Sequence, residues 1–136
     1  MKRVLVFGTF DILHPGHIYF LKQAKKLGDF LIVSLAREKF VRQIKGHKPL
    51  HSEKERLDMA RALKIVDKAI LGSTDNYIKH IVSQKPDIIA LGYDQRAFTA
   101  DLKKKLSDAG LKKIKIVRLK PYKPIFYKSS KILSQI

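Results

Sequence analysis

The chain has 136 residues, of which 45% are hydrophobic, and a formal net charge of +17. This length predicts one compact domain over residues 1–136, and the apolar content argues against a disordered basic tail. Cysteine is absent, which excludes disulfides, thiolate metal sites and a cysteine nucleophile. No apolar run reaches the roughly 18 residues of a membrane span, and the first apolar run is too short for a signal peptide, so we expect a cytoplasmic protein.

The positive charge comes from 29 lysine and arginine residues against 12 acidic ones. Three interpretations are open. The charge could form a nucleic-acid-binding surface, or it could surround a pocket for substrates that carry several phosphates. It could also be a solvated, lysine-rich surface, since many lysines fall on the polar faces of predicted helices.

Five short runs rich in β-branched and aromatic residues predict buried strands. In chain order, they cover residues 3–7, 30–35, 66–71, 87–91 and 114–119. Segments with helical spacing or capping signals lie between and after them. These cover residues 15–27, 37–43, 53–63, 75–84 and 99–109, with a final helix from near Ser129. The alternation predicts an α/β fold, a single Rossmann-like doubly wound domain with a five-stranded parallel sheet flanked by helices.

Several residues mark where the predicted helices begin and end. Pro15 suits the first turn of the first helix, and Gly28 is expected to end it. Ser52 and Glu55 match a capping box. Sheets of this type bind ligands beyond the carboxyl ends of their strands. We therefore expect the loops after strands one, four and five, residues 8–14, 92–95 and 120–130, to meet at one site.

Residues 8–17 (GTFDILHPGH) follow the first predicted strand and open the first helix. Gly8 allows close approach of a ligand to the backbone, and Thr9 and Phe10 offer amide donors. His14 and His17 add imidazole donors at a helix start, where free amides and the helix dipole favour anions. The segment predicts an anion cradle without a nucleophile. The two histidines could instead bind a metal or lie on the surface, although no carboxylate ligand accompanies them at metal-site spacing.

The segment GTFDILHPGH resembles the HxGH signature of the cytidylyltransferase-like nucleotidyltransferases. Three further segments are similar to motifs of this superfamily, in the same order. Lys45 and Lys48 precede HSEKER, which contains Arg56, as in the family's mobile lysine loop and the helix after it. The run LGYD (residues 91–94) is similar to the nucleotide-contacting segment after strand four. The run SSKI (residues 129–132) is similar to the phosphate-contacting start of the last helix.

The resemblance implies direct in-line attack of an acceptor phosphate on the α-phosphorus of a nucleoside triphosphate. His17 would contact the α-phosphate region, His14 the β-phosphate side, and Lys45 and Lys48 would bring mobile positive charge over the triphosphate. The other implied nucleotide contacts are Gly8, Thr9, Phe10, Gly92, Tyr93, Asp94, Ser129 and Ser130. Asp11, Arg56 and Tyr127 would hold the acceptor or organise a loop. Mg²⁺ would be held mainly by the triphosphate, without a protein metal site.

Simpler interpretations of some of these residues stay open. Lys45 and Lys48 could be solvated loop lysines, and Asp94 could serve only to form a turn. Ser129 could be only a helix N-cap. Tyr127 could stack on a flat ring or pack in the core.

Within the superfamily, the whole chain resembles the small archaeal FAD synthases, which implies transfer of AMP from ATP to FMN. A cytidylyltransferase for a small phosphorylated alcohol such as glycerol 3-phosphate is an alternative. The enzymes for glycerol phosphate carry an arginine-threonine-glutamate-glycine motif, whereas Arg118 is followed here by Leu119 and Lys120. A non-catalytic basic nucleic-acid-binding protein is a third possibility. Members of the family are often homodimers, and we carry this over as an expectation.

Overall fold

The computed structural model describes residues 1–92, 95 and 101–120. Its strands are β1 (Arg3–Gly8), β2 (Phe30–Leu35), β3 (Lys68–Leu71), β4 (Ile88–Leu91) and β5 (Lys115–Arg118). Its helices are α1 (Pro15–Lys25), α2 (Glu38–Lys45), α3 (Glu53–Arg61), α4 (Tyr77–Gln84) and α5 (Leu102–Asp108). The predicted final helix from near Ser129 lies outside the described residues. No helix in the described part is long and apolar enough to cross a membrane.

The five strands form one parallel sheet with the order β3-β2-β1-β4-β5. The strands β2 and β3 follow β1 in order towards one edge of the sheet, whereas β4 and β5 lie on the other side of β1. The carboxyl ends of β1 and β4 therefore form the point where the strand order reverses, which is where open α/β sheets bind ligands. The predicted five-stranded, doubly wound parallel fold is confirmed.

Apolar side chains alternate between the two faces of the sheet. Val4 on β1 belongs to a buried cluster that contains Leu21 of α1 and Ala60 of α3. Its neighbour Leu5 belongs to a second cluster, which contains residues of α4 and α5 such as Leu106. Because successive strand residues point to opposite faces, helices must cover both sides of this sheet. The core thus leaves the carboxyl edge of the sheet to polar loops.

Local signals set most of the element boundaries. The predicted capping box is present at the start of α3, with Ser52 Oγ accepting from Glu55 N and Glu55 Oε1 accepting from Ser52 N. The α2 helix continues to Lys45, beyond the predicted end at residue 43, and stops at Gly46, which has a φ of 76°. Lys45 is therefore the last helical residue and not part of the loop.

Gly28 has a different role from the predicted helix stop. The α1 helix ends at Lys25, and Gly28 is not among the residues with left-handed backbone. A Cβ atom at Gly28 would lie 2.7 Å from the carbonyl oxygen of Lys2. Gly28 thus allows the chain to pass close under the start of β1 before β2 begins.

Candidate active site

His14 and His17 lie together at the start of α1. His14 is the N-cap, and its Nδ1 accepts a hydrogen bond from Gly16 N at 3.1 Å. A neutral imidazole that accepts at Nδ1 carries its proton on Nε2. The rings of His14 and His17 are stacked with centroids 3.8 Å apart. The two predicted catalytic histidines therefore form one unit.

The imidazole of His17 is neutral at physiological pH. Burial, and after it the charges of His14 and Lys45, lower the pKa of His17 to about 3, although a hydrogen bond with the Ile12 backbone acts in the opposite direction. Burial also lowers the pKa of His14. A neutral imidazole can donate a hydrogen bond to a phosphate oxygen, but it brings no net charge to the site.

Lys45 supplies positive charge near this pair. Its side chain is exposed at the end of α2, yet it is close enough for its charge to lower the pKa of His17. Lys48 is exposed in the loop that follows Gly46. The charge of Lys45 thus reaches His17, and the catalytic roles of Lys45 and Lys48 stay predictions.

The backbone donors of the first turn of α1 are largely occupied by His14. Besides the bond from Gly16 N to the His14 ring, the N–H groups of His17 and Ile18 donate to His14 O at 2.9 Å and 3.2 Å. This differs from the expected set of free amides at the helix start. Anion binding at this point would depend mainly on the side chains of His17 and Lys45.

Phe10 packs inside the motif. Its backbone is left-handed, with a φ of 50°, and its side chain is 6% exposed. A Cβ atom on Gly8 would lie 2.4 Å from Phe10 Cε2, so glycine at position 8 leaves room for this ring. The ring also meets His17 edge-on, with centroids 5.1 Å apart. Phe10 therefore supports the position of His17, and any phosphate contact from Phe10 would come from its backbone.

Asp11 and Arg56 connect the motif to the segment that follows the lysine loop. The buried Asp11 carboxylate accepts from Leu50 N at 2.6 Å and from His51 N at 2.8 Å. The fully buried Arg56 donates from Nη1 to Thr9 O at 3.0 Å and from Nε to His51 O at 3.3 Å. The predicted loop-organising role of this pair thus has a specific geometric basis.

The Gln95 side chain joins the carboxyl ends of β1 and β4 and so holds Gly92 beside the end of β1. Gln95 accepts from Gly92 N through Oε1 at 2.8 Å and donates from Nε2 to Phe7 O at 2.6 Å. Arg118 donates from Nη1 to the carbonyl oxygens of Gly92 and Gln95. Sequence reasoning placed Gln95 in a loop expected at the site but assigned no role to Gln95 or Arg118. The predicted contacts Tyr93, Asp94, Tyr127, Ser129 and Ser130 lie outside the described residues.

Comparison with known proteins agrees with this arrangement of sheet and motifs. The sequence profile of the cytidylyltransferase-like family matches residues 5–135. The chain belongs to this family. It is 51% identical to an FAD synthase of Archaeoglobus profundus over 137 aligned positions, covering 100% of this chain and 86% of that protein. It is 54% identical to an FAD synthase of Methanosarcina mazei over 119 positions, covering 88% and 77%.

A solved structure with high similarity carries a different name. It is a lipopolysaccharide core biosynthesis protein from Thermoplasma volcanium, 47% identical to this chain, with a TM-score of 0.84. The alignment covers 90% of this chain and 98% of that one. This chain and the Thermoplasma volcanium protein therefore share their fold over most of their length.

Asp11→Asn should weaken the hydrogen bonds that hold the backbone of Leu50 and His51. The amide keeps one acceptor oxygen, but its NH₂ group faces one of the two N–H donors that Asp11 now holds. Hydrogen bonds to a charged group contribute about 1.5–3 kcal/mol, so we expect amide exchange at Leu50 and His51 to accelerate roughly 10-fold or more. Hydrogen–deuterium exchange measures this directly. Asp58→Asn, at an exposed position of α3, is the control, and unchanged exchange in Asp11→Asn would contradict the anchor.

The lowered pKa of His17 predicts that this chain loses stability in acid. Unfolded His17 takes up a proton near pH 6.5, whereas folded His17 stays neutral until about pH 3. The unfolded state therefore binds more protons in this window, and the free energy of unfolding falls as pH decreases through it. His17→Gln removes this component, so the stability difference between the native chain and the variant should shrink between about pH 7.5 and about pH 4.5.

Urea unfolding at several pH values measures that difference. His80, whose pKa is also lowered by burial, remains in both proteins, and because His14 stacks on His17, the comparison reports the stacked pair. His47→Gln, at an exposed position, is the matched control. A stability difference independent of pH would show that His17 is not held neutral in the folded chain.

Proposed function

We propose that this chain is an FMN adenylyltransferase, which transfers AMP from ATP to FMN and forms FAD and pyrophosphate. The observation that carries the proposal is its similarity to archaeal FAD synthases, with identities between 44% and 54% over 82–100% of the chain. The paired histidines and the nearby Lys45 provide chemistry that suits a transferring phosphate. The position of the histidine motif after β1, beside the point where the strand order reverses, supports the proposal.

In the proposed reaction, a phosphate oxygen of FMN attacks the α-phosphorus of ATP. The new P–O bond forms in line with the bond to the β-phosphate, which breaks and releases pyrophosphate. The protein forms no covalent intermediate; it positions two anions and stabilises charge on the transferring group. His17 would donate a hydrogen bond near the α-phosphate, His14 would act on the β-phosphate side, and Lys45 with Lys48 would cover the triphosphate.

A divalent cation, Mg²⁺, would neutralise part of the charge on the triphosphate. Within the described residues, no group of three histidine or carboxylate side chains could hold a metal ion. Both oxygens of the Asp11 carboxylate accept backbone hydrogen bonds. This donor set fits a cation held mainly by phosphates and water, as is usual for Mg²⁺ in phosphoryl-transfer sites.

The wider setting of the enzyme forms part of the same proposal. We propose that residues 1–136 act as one catalytic domain and that the enzyme works in the cytoplasm as a homodimer. Two large hydrophobic side chains of the described part, Ile44 and Leu50, are 78% and 62% exposed. Contact with a second copy would remove such apolar surface from water.

Pyrophosphate release tests the reaction and its acceptor. The purified protein is incubated with Mg²⁺ and either ATP or CTP, together with FMN, glycerol 3-phosphate or a sugar phosphate. Of the acceptors tested, we expect only FMN to support turnover of ATP. FAD and pyrophosphate should then form in equal amounts. CTP turnover with a small alcohol phosphate would support the cytidylyltransferase alternative. Salt-sensitive DNA binding without any nucleotide turnover would support the nucleic-acid-binding alternative.

His17→Ala should reduce turnover while the fold persists. Loss of a preorganised donor to a developing charge typically lowers kcat by roughly 10²-fold or more. His17→Asn keeps an amide donor and should lose less activity than His17→Ala. Steady-state kinetics measures both variants, and circular dichroism checks that they are folded. Near-normal turnover in folded His17→Ala would remove His17 from the catalytic set.

A further inference from the structure

The ladder between β1 and β4 stops before either strand ends. On its other side, β1 pairs with β2 as far as Gly8 opposite Leu35. With β4, the pairing ends at Val6 opposite Ala90, although β4 continues to Leu91. The two strands therefore separate at their carboxyl ends, at the point where the strand order reverses.

The regular step of this sheet shows which bond is missing. Gly8 lies opposite Leu35 and its carbonyl accepts from the next residue, Ala36. In the same way, Leu91 lies opposite Arg118 and its carbonyl accepts from Leu119. One more step between β1 and β4 would place Phe7 opposite Leu91, and Gly92 N would then donate to Phe7 O.

The side-chain amide of Gln95 takes the place of that bond. Gly92 N donates to Gln95 Oε1 at 2.8 Å, and Gln95 Nε2 donates to Phe7 O at 2.6 Å. A backbone N–H can only donate and a backbone carbonyl can only accept, so these partners fix the orientation of the amide. Adjacent strands normally lie about 4.8 Å apart. An amide inserted between them holds their ends further apart.

Arg118 on β5 fixes the inserted residue from the other side. Its Nη1 donates to Gly92 O at 2.9 Å and to Gln95 O at 2.7 Å. Gln95 N also donates to Gly92 O at 3.1 Å. Both the side chain and the main chain of Gln95 are thus held, and the separation between β1 and β4 is set before any ligand binds.

We propose that Gln95 is a positioning residue that sets the width of the nucleotide crevice between the ends of β1 and β4, and that Arg118 holds it in place. The proposal rests on the proposed function, because a nucleotide is the expected occupant of this crevice. Gln95 acts through the backbone positions of Phe7 and Gly92 and not by touching the reacting phosphates. Its loss should weaken nucleotide binding more than it affects folding.

Gln95→Met tests the spacer. Methionine has a similar length but offers neither a strong donor nor a strong acceptor, so Gly92 N is free to pair directly with Phe7 O and narrow the crevice. We expect the Kd and KM for ATP to rise roughly 10-fold, the scale for losing an interaction in a hydrogen-bonded site. The melting temperature should stay within a few degrees of the native value, because the direct ladder bond replaces those of the amide.

Matched variants distinguish an effect on the separation of β1 and β4 from an effect on the stability of the fold. Gln23→Met on α1 makes the same chemical change away from the crevice and should leave the KM for ATP unchanged. Arg118→Lys keeps a cation that can donate to the two carbonyls, so it should retain more ATP affinity than Arg118→Met. A folded Gln95→Met with native ATP affinity would overturn the proposal. A lower melting temperature with native affinity would assign Gln95 a purely structural role and overturn it as well.

Nucleotide binding is measured by calorimetry without an acceptor, which keeps this test separate from the proposed function. If the native chain binds ATP but gives no FAD, the proposed function fails while the affinity ratio still decides the role of Gln95. If CTP binds in place of ATP, the same ratio is measured with CTP. If the native chain binds neither nucleotide, both proposals fail.

Discussion

Three successive carbonyl oxygens at the end of β1 are each held by a different part of the fold. Phe7 O accepts from the Gln95 side chain, Gly8 O from Ala36 N after β2, and Thr9 O from Arg56 on α3. The backbone that leads into the histidine motif is therefore fixed from three directions. Catalysis by electrostatic stabilisation requires donors that are in place before the charge develops. In this chain, two side chains and one backbone N–H, all distant in sequence from the histidines, hold the backbone that leads to them.

Arg56 and Asp11 show how buried charge can serve this purpose. Burial lowers the pKa of the Arg56 guanidinium, and the negative charge of Asp11 opposes that effect. Such residues cost free energy to bury unless their donors and acceptors are satisfied. Asp11 accepts from Leu50 N and His51 N, and Arg56 donates to Thr9 O and His51 O, whereas the buried Arg56 Nη2 has no hydrogen-bond partner among the described residues. The motif loop and the end of the lysine loop are consequently held in a common frame.

Local sequence patterns predicted the elements, because each of those signals acts over a few residues. The run FLIVSL predicted β2 with its observed bounds, Phe30–Leu35, and the Ser52–Glu55 capping box marked the start of α3. The segment GTFDILHPGH predicted that His14 and His17 lie together at the start of α1. The element predictions needed only strand alternation and helix capping, whereas the roles of His14, His17 and Lys45 were implied by the resemblance to the cytidylyltransferase-like family.

The contacts that sequence reasoning missed join distant positions. The loops after β1 and β4 were expected to meet, but no local signal indicated that the Gln95 side chain would donate to a carbonyl 88 residues earlier in the chain. Gly28 looked like a helix stop, but the nearby Lys2 carbonyl is what requires glycine there. Phe10 follows Gly8 closely, yet its left-handed backbone and its packing over Gly8 depend on the tertiary fold.

Because His17 is buried and neutral, hydrogen bonding and positive charge at this site come from different residues. A histidine that is neutral in the free protein can donate a hydrogen bond without the repulsion that two adjacent imidazolium rings would suffer. The positive charge that a triphosphate requires must then come from groups that remain in water, where a cation is not penalised by desolvation. Lys45 meets that condition, because it is exposed at the end of α2 and still lies close enough to affect His17. Arrival of an anion beside His17 would favour its protonated form, so nucleotide binding and proton uptake by this imidazole should be thermodynamically linked.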